Sequence, residues 1–261
     1  MQLKYAAPDY VHEAIAALGR TEDVKFSPSN RRLALLSFLK NQITVFEMCI
    51  DKSGDGVKLS LLDVVRISSP HLKQPHGITF IDEETIIVAN RFGDATIFAL
   101  PPGGGGKCYD LKPIEIIRSG DILTSPGAVS VTKKSDDVYE ALICSSFGNN
   151  VTKHVIDGAT NCSVKSSETL LRKWLEAPDG VSVDPRWIAI SNHNTHSVLL
   201  YENTASLNEN SDPAGILRGV LHPHGLRFTA DGRYILVADA GAPYVHIYMK
   251  GLSGWRGVQS P

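Results

Sequence analysis

One short signature recurs along this chain and constrains its fold more than any other feature. A proline, a variable residue and a glycine open an alternating apolar stretch. It reads Pro75-His76-Gly77-Ile78-Thr79-Phe80, then Pro178-Asp179-Gly180-Val181-Ser182-Val183, then Pro223-His224-Gly225-Leu226-Arg227-Phe228. Pro126-Gly127-Ala128-Val129-Ser130-Val131 is a variant, and Glu22-Asp23-Val24-Lys25-Phe26 is the same stretch without the proline. The repeats fall about 45–54 residues apart, the length of a four-stranded propeller blade.

Each repeat reads alike. Strand A follows the opening step, and a turn such as Ala230-Asp231-Gly232-Arg233 comes next. Strand B is apolar, as in Thr85-Ile86-Ile87-Val88-Ala89, and strand C is exemplified by Ala95 to Leu100. Strand D is more variable, with Leu59 to Ile67 and Pro113 to Arg118 as examples. This predicts an all-β chain, a single β-propeller domain over 1–261, built from four-stranded antiparallel blades. Five blades are recognisable, starting at about 21, 75, 126, 178 and 223. Residues 1–20 form an N-terminal segment. Within it, Pro8 to Leu18 predicts a short amphipathic helix, with Tyr10, Val11, Ile15 and Leu18 on the packed face. Gly251 to Pro261 is too short and glycine-rich to supply strand D of the last blade. That leaves two options: the segment near Leu3-Lys4-Tyr5 supplies it, or the chain is a shortened relative of a larger propeller.

Blade geometry turns the alignment into a site map. Strand A lines the channel, and its start shares an end of the blade with the B–C loop. The residues opening strand A are Glu22, His76, Gly127, Asp179 and His224. Carboxylates and imidazoles bind divalent metals and move protons near neutral pH. Asp179, His76 and His224 are therefore the candidate catalytic residues, and Glu22, Asp179, His76 and His224 the candidate metal ligands. The expectation is that they face one polar cavity. The ends of strand B form a second polar column: Ser37, Asn90, Ser145, Asn192 and Asp239. Asn90, Asn192 and Asp239 either orient the first set or cap the B–C turn. The B–C loops add a rim of Arg91, Phe92, Phe147, His193 and His196.

The stretch from His224 to Asp239 resembles a blade of the SMP-30/gluconolactonase, lactonase and NHL propellers. Pro178 to Asp184 is similar to an inner-strand motif of the SMP-30 group. That resemblance implies a calcium- or zinc-dependent hydrolase of lactones or esters, with Glu, Asn and Asp ligands at the channel mouth. Glu22 and Asp179 match such a Glu and Asp, while histidines stand in the asparagine columns.

Other chemistries are excluded or disfavoured. The net charge is -2 and the pI about 6.5, giving no general attraction to nucleic acid or anionic membranes. Gly103 to Cys108 lacks the Ser or Thr of a phosphate-binding loop and predicts a flexible connection. The N-terminus lacks a signal-peptide core, which predicts a cytoplasmic protein. Cys49, Cys108, Cys144 and Cys162 form no CxxC pair and are expected as thiols. The functional expectation is a propeller that binds a small molecule or protein partner on the B–C loop face. A metal-dependent lactone or ester hydrolase and a protein-interaction scaffold are the alternatives.

Overall fold

The computed structural model of the chain describes residues 5–52, 56–118, 120 and 122–261. It is all-β, a five-blade β-propeller of small antiparallel sheets, with one short α-helix among the described residues. The chain divides into two compact units, Met1–Ile117 and Arg118–Pro261.

The first unit opens with β1 (Tyr5–Ala6) and α1 (Asp9–Ala16). Blade 1 is β2 (Thr21–Phe26), β3 (Arg32–Ser37), β4 (Gln42–Asp51) and β5 (Lys58–Ser68). Blade 2 is β6 (Pro75–Phe80), β7 (Thr85–Asn90) and β8 (Ala95–Ala99); after β9 (Cys108–Asp110), it ends with β10 (Glu115–Ile117). Between the two blades lies a core of Leu36, Ile43, Ile67, Ile78, Ile86 and Phe98, all essentially fully buried. Burying each such side chain contributes about 1.5–3 kcal/mol.

The helix packs on blade 1 through Val11 and Ala14, against Phe46, Met48, Leu61 and Val64. Tyr10 is not on that face: it is exposed and donates to the Asp63 carboxylate at 3.2 Å. The glycine-rich connection is also held rather than flexible. Gly105 N–H donates to Asp63 Oδ2 at 3.1 Å, and Arg66 donates to the Gly106 carbonyl at 3.0 Å. This delivers β9 to run parallel beside β5. Backbone groups left over by blade 1's outer strand recruit the loop, which no local pattern encodes.

The second unit holds blade 3, made of β11 (Pro126–Ser135), β12 (Val138–Ser145), β13 (Asn150–Asp157) and β14 (Ser163–Leu171). Blade 4 follows with β15 (Pro178–Val183), β16 (Trp187–Asn192), β17 (Ser197–Glu202) and β18 (Gly215–Leu217). Blade 5 has three strands: β19 (Pro223–Phe228), β20 (Tyr234–Asp239) and β21 (Val245–Met249).

The ends of the chain depart from expectation. β1 pairs with β5 and so extends blade 1; the predicted Leu3 and Lys4 contribution lies outside the described residues. The C-terminal tail does form a strand, β22 (Gly257–Gln259), which runs parallel to β18 of blade 4. It is anchored by Trp255, fully buried with Trp187, Phe228 and Tyr248. Gly215 makes this approach possible, because a Cβ there would lie 1.7 Å from the Trp255 carbonyl oxygen. Blade 5 keeps an open edge at β21, where Val245, Ile247 and Met249 are all more than half exposed.

Cys49 and Cys108 are exposed thiols, and Cys144 and Cys162 are buried ones. We expect the melting temperature to be the same with and without reductant. A drop of several degrees on reduction would show a stabilising crosslink.

Candidate functional site

The residue that opens strand A is displaced from regular pairing in every blade. Pairing skips from Thr21 to Val24, from Pro75 to Gly77, from Pro126 to Val129, from Pro178 to Gly180 and from Pro223 to Leu226. Glu22, His76, Gly127, Asp179 and His224 all fall inside these bulges. A bulge leaves its residue unpaired and re-aims the side chain, which is why bulges recur beside active sites. A glycine inside a strand pattern is the sequence signal for one.

In the first unit the bulges bring Glu22 and His76 together. Glu22 Oε2 lies 3.7 Å from His76 Nε2, and both side chains are more than nine-tenths buried. Arg91, from the B–C loop of blade 2, reaches the same His76 nitrogen at 2.6 Å. A guanidinium can only donate, so Nε2 is the acceptor, and the Glu22 approach is proximity rather than an ion pair. Arg20 holds the other Glu22 oxygen at 2.5 Å. The neighbouring Asp23 accepts the Ile78 N–H at 3.1 Å and so ties the two strands A together.

In the second unit the same repeat positions give Asp179 and His224. His224 Nε2 lies 3.1 Å from Asp179 Oδ2, and Ser146 donates to Asp179 Oδ1 at 3.2 Å. Since a carboxylate only accepts, His224 presents Nε2–H to it, which makes Nδ1 the basic nitrogen of the neutral ring. Asp179 is buried, while the His224 side chain keeps about a quarter of its surface exposed. Gly180 permits the pair: a Cβ there would sit 2.2 Å from the His224 carbonyl oxygen. Gly225, at the same step of blade 5, has nothing within 4 Å of its would-be Cβ.

The second polar column latches loops. Asn90 accepts the Lys73 N–H at 3.0 Å, Asn192 accepts the Glu176 N–H at 2.6 Å, and Ser145 accepts the Thr124 N–H at 2.6 Å. Each therefore pins the segment two or three residues ahead of the bulge. Asp239 does the same with the N–H groups of Leu221 and His222, and also binds Gly241 N–H and the His246 ring. Burial pushes the Asp239 carboxyl up, but these four donors together hold it far below the usual carboxylate range. Ser37 is the exception, with a buried hydroxyl that meets no partner among the described residues. The capping role thus accounts for the column, and the amides of Asn90 and Asn192 are fully engaged in it.

Ahead of the bulges, Gln74, Ser125 and Ala177 have φ of 52, 55 and 51 degrees. The left-handed region is costly for residues with a Cβ. The sequence gave no sign of this feature, since none of the three is a glycine or an asparagine. Of the rim, Arg91 joins His76, Phe92 and Phe147 stand exposed, and His193 and His196 gather around His222.

A divalent ion with Glu, Asn and Asp ligands, as the resemblance implies, does not fit these residues. The asparagines are committed to the backbone, and the guanidiniums of Arg20 and Arg91 already serve Glu22 and His76. Donor groups of metal-binding type do occur at Glu22, His76 and His224.

No protein-family model matches the chain, and no curated protein matches it. Solved structures do share its fold. The hydrazine synthase of Kuenenia stuttgartiensis is 12% identical with a TM-score of 0.57, over 89% of this chain and 84% of that one. A candidate 6-phosphogluconolactonase from Bacteroides uniformis is 13% identical with a TM-score of 0.56, over 89% of this chain and 67% of that one. A chain of the nidogen/laminin complex is 12% identical with a TM-score of 0.55, over 92% of this chain and 84% of that one. These likenesses define the class of fold. Among the described residues, no helix is long and apolar enough to cross a membrane.

Proposed function

We propose that the protein is a β-propeller binding protein whose strand-opening residues recognise a small molecule or a protein partner. The observation that carries this reading is the recurrence of one device. The same bulge position yields a carboxylate–imidazole pair twice, as Glu22 with His76 and as Asp179 with His224. Packing alone calls for no buried carboxylate beside an imidazole, and burying one is costly unless it is paired. The Asp179–His224 pair is the better placed for a ligand, because His224 keeps solvent access.

The enzymatic alternative uses the same pair. A carboxylate that orients an imidazole prepares it as a general base, and a lactone or ester hydrolase would use His224 in this way. The fold shared with a candidate 6-phosphogluconolactonase supports it at the level of architecture alone. The scaffold reading is favoured by the open edge of blade 5, where Val245, Ile247 and Met249 are exposed on an unpaired strand.

Asp179→Ala separates these readings. Ligand or substrate binding, screened by thermal shift across metabolite and lactone panels, is expected to fall at least tenfold while the fold is retained. If Asp179→Ala binds as the parent does, and Ile247→Lys alone abolishes partner capture, the scaffold reading replaces ours.

A further inference from the structure

Three histidines of the second unit meet at the loop end of blades 4 and 5, and the residues above do not use them. His193 and His196 flank a single turn of 3-10 helix, His193–Thr195. Three residues per turn place positions i and i+3 on one side. His222 comes from the segment leading into β19. Its ring stacks on His193 with centroids 4.8 Å apart and meets His196 edge-on at 5.1 Å.

The hydrogen bonds fix the chemistry of two rings. His193 Nδ1 faces the Pro223 carbonyl at 3.4 Å, and His196 Nδ1 faces the Leu221 carbonyl. A carbonyl only accepts, so both Nδ1 atoms carry the proton and both Nε2 atoms present lone pairs. This is the arrangement that metal-ligating histidines adopt: one nitrogen donates to a backbone carbonyl, and the other is left for the ion. The supports are rigid. Asn192 holds Thr195 at 2.7 Å, and Asp239 holds the backbone of Leu221 and His222 at 2.8 and 2.9 Å.

From this we infer that His193, His196 and His222 form a binding site for a borderline divalent transition metal, such as zinc, cobalt or copper. Imidazole suits these ions, and three protein ligands leave a fourth position open. The spacing agrees. With nitrogen about 2.0–2.1 Å from the ion, each ring centre lies about 3.2 Å away, and near-tetrahedral ligation sets two ring centres about 5 Å apart. The exposed His222 ring has only to turn its edge inward between rotamers. The inference stands apart from the Asp179–His224 reading, because it shares no ligand with it.

The probe is cobalt(II) alone, titrated into untagged protein and read by its visible absorption and by calorimetry. One equivalent is expected, with the intensity of a low-coordinate nitrogen site. His196→Gln and His222→Gln should each weaken it by about 10–100-fold or more, while Asp179→Ala leaves it intact. Both substitutions are at exposed positions, and unchanged thermal melts will confirm folding. Absence of a stoichiometric site in the parent, or a site that survives both glutamine variants, would overturn the inference. Loss of cobalt binding in Asp179→Ala alone would place the metal elsewhere.

Discussion

Trp255→Ala is expected to lower the stability of the second unit by about 3–5 kcal/mol, the usual cost of emptying a buried aromatic site. Trp255 is fully buried and packs against Phe228, with ring centroids 6.0 Å apart, in a cluster that spans blades 4 and 5. It is also the anchor from which β22 reaches β18. Its indole N–H meets no acceptor among the described residues. Trp255→Phe should therefore cost much less than the alanine change, because it keeps aromatic volume and removes an unpaired donor. Urea titration of the parent and both variants checks the order. Equal midpoints for parent and Trp255→Ala would mean that the tail does not dock.

That tail marks where reading the sequence stops. The blades were legible because each strand is long enough to show alternation, and because Pro-x-Gly marks where each begins. The carboxylate and imidazole column was legible for the same reason, since a fixed repeat carries a fixed position. Three short parallel additions were not: β1, β9 and β22 have two or three residues each, too few for any periodicity. What holds them is tertiary, such as the burial of Trp255 and the close approach at Gly215. The bulges could have been foreseen from the glycine that follows each opening residue. The loop-latching role of Asn90 and Asn192 could be guessed from their place at a strand end, but not distinguished from ligand orientation. His222 was missed because it stands outside both repeat columns. Only its fold neighbours His193 and His196 give it a role.

Acid should destabilise the protein well before its carboxylates titrate, through His154 on β13. Its ring is buried between the Thr152 hydroxyl at 2.7 Å and the Ser167 hydroxyl at 2.8 Å. Burial holds its pKa down at about 4, against an ordinary value of 6.5. The folded state then resists a proton that the unfolded chain accepts. Stability is full above pH 6.5 and falls as pH drops from there toward 4, because the unfolded state binds more protons in that window. Each pH unit in the window costs about 1.4 kcal/mol, so about 2 kcal/mol is lost by pH 5. Asp239 acts in a separate range: its lowered pKa supplies stability above the unfolded carboxylate value that is lost only in stronger acid. His154→Gln keeps polar partners for both hydroxyls and cannot take up a proton. Urea titrations at pH 7 and pH 5 should show a drop in the parent that shrinks by about 2 kcal/mol in His154→Gln. If both proteins lose the same stability over that interval, His154 takes up its proton within the folded blade, and the burial argument fails.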